Sequence, residues 1–267
     1  MKNLLGALVA IVFLFTNCSK TESIETDSNK NGQVKLKFDL IVNGKKLVLN
    51  DYTYTNSNGE SFNISLLKFY VSNIVLGKPN GETYTVPKME SFFLIDAQDN
   101  KSLYPIISAP EGEYSYLQFN LGVDSLTNTL PAEQRTGVLD VSKHDMYWTW
   151  NSGYIHFKIE GASPQANTVN NQFKYHIGFF GGYSSPTPNN NRIITLDLSK
   201  AGISKVQENL SSDIHLMVDI GRIFDAVHTI SISEYPTIMT QGPHEQMADN
   251  YATMFTHDHT HNFQKIN

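Results

Sequence analysis

Apolar residues recur at every second position through most of this chain, and that period of two excludes a helical fold from the outset. Val34-Lys35-Leu36-Lys37-Phe38-Asp39-Leu40 alternates without a break and then meets Asn43-Gly44, the dipeptide of a two-residue hairpin. Successive side chains on a strand point to opposite faces, so a strand with one wet face must alternate in this way. Two parities meet in the run Ser61–Leu76: Phe62, Ile64 and Leu66 form one set, Leu67, Phe69 and Val71 the other. A switch within one run implies a bulge or two abutting strands. Ser91–Asp96 reads as a short buried strand, Leu117, Phe119 and Leu121 as the inward side of the next, and residues 124–145 as a long polar connection.

Three later strands each place a histidine away from their aliphatic face. Ile155, Phe157 and Ile159 leave His156 opposite; Phe173, Tyr175 and Ile177 leave His176 opposite; Ile214, Leu216 and Val218 leave His215 with Met217 and Asp219. If these strands are neighbours, the imidazoles can converge; singly, each also suits an ordinary half-buried sheet position. Ile193–Leu198 is a further strand. Gly242-Pro243 then opens a short helix through Phe255, with Met247, Tyr251, Met254 and Phe255 at helical spacing. The expected architecture is all-β: a single antiparallel sandwich or barrel-like domain over residues 34–267, with a short C-terminal helix.

The N-terminus places that domain outside the cytoplasm. Leu4–Phe15 is an apolar stretch of secretory length, too short to span a bilayer. It leads to Cys18, the chain's only cysteine, which reads as the lipidated first residue of a membrane-anchored lipoprotein. Residues 1–17 are then a signal peptide and 18–33 a flexible polar tether. The expected location is the outer membrane, on its periplasmic or cell-surface side. A single cysteine allows no internal disulfide, so the core must hold the fold unaided. A net charge of −6 argues against nucleic acid. P-loop, GxGxxG, GxSxG and HExxH motifs are absent, and no catalytic residues are assigned: the chain reads as a binding protein rather than an enzyme.

Both tryptophans lie two residues apart in MYWTWNSGYIHFKIEG, Met146–Gly161. In an extended backbone running through Gly153, Trp148, Trp150 and His156 would share one side. Together with FNISLLKFYVSNIVL, YLQFNLGVD and FKYHIGF, in that order, this segment resembles the MbnP-like family of periplasmic or surface copper-associated proteins. The resemblance implies that a tryptophan, here Trp148 or Trp150, is oxidised to kynurenine by a di-haem partner of the MbnH type. The new amine and histidines would then bind copper. The copper-binding members carry a histidine two residues after the modified tryptophan, where this chain has Trp150 or Ser152; His156 or His176 could substitute.

The C-terminus offers another candidate. His257, His259 and His261 alternate with Asp258 and Thr260, and an extended backbone would align all three imidazoles. Such tracts bind copper, zinc or nickel. The same tract also reads as a terminal tail that binds divalent ions incidentally. The metal-ligand candidates are therefore His156, His176, His215, His257, His259 and His261, with copper as the expected metal. The alternative function is an interaction module that binds a glycan or a protein through an exposed Trp/Tyr face.

Overall fold

The hairpin and strand signals of the first residues are realised directly in the computed structural model, which describes residues 30–266. Cys18, the signal peptide and most of the tether lie outside the described residues. The first strand runs Asn31–Val42, with Val34, Leu36, Phe38 and Leu40 buried. Asn43 and Gly44 take φ of 50° and 77°, the left-handed pair a two-residue turn requires, and Val42 returns opposite Lys45. On one side this strand lies parallel to Leu210–Asp219, which pairs in turn with the final strand Phe255–Lys265. These strands, with Lys45–Lys46 and Ile106–Pro110, make a five-stranded sheet.

A nine-stranded sheet faces it, built around the long strand Ser61–Gly77. The parity switch in that run is a bulge. Glu160 lies opposite Leu66 while Gly161 lies opposite Ile64, which leaves Ser65 unmatched. Thus Ile64 and Leu67 are both fully buried. Phenylalanines from the two sheets interleave between them. Phe38 and Phe255 come from the first sheet, Phe69 and Phe119 from the second, with ring centroids 5.1–6.4 Å apart, mostly edge to face. A smaller core forms on the far side of the nine-stranded sheet. There Tyr70, Leu94, Val123, Leu139, Met146, Tyr154 and Ile155 pack under the connection that follows residue 124.

The expected all-β sandwich is therefore present, with two differences in detail. Pairing is not wholly antiparallel: Asn31–Val42 with Leu210–Asp219, and Lys174-Tyr175 with Thr237-Ile238, run parallel. The late helix spans only His244–Tyr251, and the chain ends in a strand. Met247 and Tyr251 are buried as their helical spacing implied, but Phe255 belongs to the phenylalanine cluster between the sheets.

Glu60 pins a distant loop to the sheet. Its buried carboxylate accepts from Asn56 Nδ2 at 2.6 Å and from Ser231 Oγ and the N–H groups of Ile232 and Ser233, each at 2.8 Å. Burial alone would raise its pKa, but the four donors outweigh it and hold the group at about 2, against an ordinary 4.5. A depressed carboxylate contributes stability that is full above the unfolded value and is lost as pH falls towards the folded one. Glu60→Gln should therefore cost roughly 2–3 kcal/mol at neutral pH. Its urea midpoint should also vary less than wild type between about pH 5 and pH 2.5. Parallel midpoint-versus-pH curves for the two proteins would refute this.

Candidate metal centre

A one-residue irregularity in the last strand assembles the site. His215 lies opposite His259, yet Leu216 lies opposite His257, so Asp258 has no partner across the ladder. Before this bulge, His257 shares the side of core-facing Leu216 and its Nε2 meets Thr260 Oγ1 at 2.9 Å. After it, His259 and His261 stand on the outer face beside His215. The bulge has a second effect. Adjacent residues of a regular strand point apart, but here the Asp258 carboxylate reaches the ring of its own neighbour, 2.8 Å from His259 Nδ1.

His215, His259 and His261 each bring a ring nitrogen within 4.8 Å of the other two. The Nε2 atoms of His259 and His261 are 3.1 Å apart, one donating to the other. His215 Nδ1 accepts from Lys37 Nζ at 3.4 Å and lies 3.7 Å from Asp39 Oδ2. Lys37 Nζ is also 3.5 Å from Asp39 Oδ1. Burial and then the neighbouring Lys37 push the His215 pKa down, so at neutral pH its ring is uncharged and has a lone pair to offer. A cation entering here would displace the Lys37 ammonium from His215 Nδ1 and the proton shared between the Nε2 atoms of His259 and His261. A carboxylate behind the imidazole is the usual support of a metal-bound histidine. The cluster can thus give a cation three nitrogen ligands, with Asp258 behind His259.

The other candidate histidines are elsewhere. His156 is fully buried; its Nδ1 accepts from Val123 N–H and its Nε2 donates to Phe179 O, both at 3.1 Å. Burial pushes its pKa down to about 4. Both nitrogens are used, and neither lone pair is free for a metal. His176 sits on the outer face of the other sheet, with Nε2 2.8 Å from Glu160 Oε1. Burial and then Lys158 lower its pKa against the pull of Glu160.

The tryptophan segment is a hairpin rather than one extended strand, which corrects the alignment of Trp148, Trp150 and His156. Tyr147 pairs with Tyr154 and Trp148 with Gly153, whose φ of 67° turns the chain back. Trp148 and Trp150 stack on each other at 5.4 Å and 15°. Trp150 is 52% exposed, and its Nε1 donates to Ser152 Oγ at 2.8 Å. Trp148 leans on Phe179, which holds the uncommon φ of 73° and packs against His244 at 5.0 Å. This hairpin joins the small core beyond the nine-stranded sheet, whereas the histidine cluster stands on the outer face of the five-stranded sheet. The structure therefore does not bring the tryptophans and the histidine cluster together. Lys37 and Asp39 were not singled out in the sequence, because only the parallel pairing of their strand sets them beside His215.

Residues 31–240 match the family model for MbnP, a span that ends before the strand carrying His259 and His261. Among solved structures, MbnP from Methylosinus trichosporium aligns with a TM-score of 0.53 and 18% sequence identity, over 75% of this chain and 80% of that one. That likeness is one of fold. No curated protein matches the sequence.

Proposed function

The chain belongs to the MbnP family, and from that premise we propose that it is an extracytoplasmic, non-enzymatic copper-binding lipoprotein. Its ion sits among His215, His259 and His261. The observation that carries this is the convergence of three imidazole nitrogens within 4.8 Å, with the His259 ring backed by the Asp258 carboxylate. Imidazole suits copper in either common oxidation state. Cys18 anchors the protein in the outer membrane, and a di-haem partner of the MbnH type acts on the tryptophan pair. Trp150 is its target, since its ring is half open to solvent while Trp148 lies beneath it. A kynurenine amine formed there would form a locus separate from the three histidines, with His244 the imidazole that packs on the adjoining Phe179.

Metal content and intact mass test this on protein made with and without the partner. One copper per chain should survive dialysis in both preparations, and the tryptophan mass change should appear only with the partner. Loss of all copper on dialysis of the copper-loaded protein would overturn the metal reading. An unchanged mass in both would remove the maturation step alone. The exposure of Trp150 also favours a second reading, a contact surface for a glycan or protein. The flanking polar groups weigh against it: Asn151 Oδ1 accepts from the N–H groups of Tyr183 and Ser184, and its Nδ2 donates to Ser185 O.

A further inference from the structure

The outer edge of the first strand has a gap. Ile106–Pro110 pairs with it only as far as Lys35, and the Lys45–Lys46 return begins at Ile41. Leu36 N–H still donates to Pro105 O, and Leu40 O still accepts from Leu47 N–H. Between these, no strand among the described residues covers Lys37–Asp39. By the period of two, the N–H and C=O of Phe38 point the same way as those of Leu36 and Leu40, into the gap. A cavity of about 590 Å³ lies there, with Phe38, Leu40 and Asp39 in its wall. That volume is in the range of small-ligand sites.

The rest of the wall suits one kind of occupant. Leu47, Leu49 and Leu103 give it an apolar side. Lys46 also lines it, and the Lys46 ammonium makes no ion pair or hydrogen bond among the described residues; neither does the Tyr104 hydroxyl across the cavity. An open strand edge, an apolar wall and an uncommitted cation together match an extended peptide with a free carboxylate. We propose that this gap binds a short apolar peptide of two or three residues, which adds as a strand segment to Phe38 and sets its C-terminal carboxylate on Lys46. Strand addition gives affinity through main-chain hydrogen bonds and selectivity through alternate side chains. At about 3.3 Å per residue, three residues span the open stretch. The site uses no imidazole, although Asp39 lies both in its wall and beside His215.

Calorimetry on the full chain in detergent, with a chelator present, tests this with trileucine as the probe. Trileucine should bind saturably. Trileucine methylated at its central amide should bind about tenfold more weakly, since one main-chain donor is gone. Lys46→Glu should weaken trileucine by a similar factor, while Lys46→Arg should not. Equal affinity for the methylated and unmethylated peptides, or no saturation at millimolar trileucine, would overturn the proposal. The methylated ligand leaves the protein unaltered, so that comparison holds whatever the variants do to folding. Because the chelator keeps the histidines empty, failure of the copper reading would leave this result unaffected.

Discussion

Replacing His259 and His261 together by alanine should lower copper affinity by at least ~100-fold and leave the melting temperature of the metal-free protein nearly unchanged. The two residues supply two of the three converging donors. Both are on the outer face of an edge strand, and neither contributes to the phenylalanine core. Their removal should therefore separate binding from folding. Asp258→Asn should act more mildly, by ~10-fold, because it frees the His259 ring without removing a donor. Lys37→Gln should strengthen binding a few-fold, since the ammonium now rests on His215 Nδ1 and repels an incoming cation. Competition with a chromophoric copper chelator at fixed pH measures all of these. If the double variant keeps wild-type affinity, copper is held elsewhere and the histidine cluster is not its site.

The second large effect is on stability. Phe69→Ala should cost about 3–5 kcal/mol and lower the melting temperature by on the order of 10 °C. Phe69 is fully buried, and its ring meets Phe38 and Phe255 of the facing sheet at 6.1 and 5.9 Å and Phe157 of its own sheet at 6.4 Å. Deleting it opens a cavity where the two sheets interleave, and the strand backbones cannot close on it without breaking ladders on both sides. Urea denaturation should show a lower midpoint with an unchanged slope. A loss below ~1 kcal/mol would mean that the rings do not interlock across the sandwich. Copper affinity of the folded variant should match wild type, because the histidines face the opposite way from this core.

Much of the fold was legible because one-sided burial writes itself into the sequence. The clean alternation of Val34–Leu40 and the Asn43-Gly44 turn each had one local cause and appear as read. The parity switch is a bulge, though at Ser65, so Leu66 leaves the buried set of Phe62 and Ile64. The outward placement of His215 with Met217 followed from the same rule. Partner choice was not local. Nothing in either segment announces that the first strand lies parallel to Leu210–Asp219, so Lys37 and Asp39 gave no signal of their own. The final strand was hidden differently: its inward positions past Phe255 include His257 and Thr260, so no apolar stripe marks it. The Trp hairpin departs from the extended run that alternation predicts, because the positive φ of Gly153 makes it the return of a turn.

Among the described residues the final strand is the outer rung of its sheet, with Leu210–Asp219 as its one ladder partner. An outer rung is where a sheet frays and where foreign strands attach. Two of the three imidazoles ride on that rung and the third on its inner neighbour. An ion held between them is thus a clasp across the last ladder, and its departure leaves the terminus free to peel. Loss of such an ion would then leave an unclasped strand edge, the kind of surface on which another strand can add.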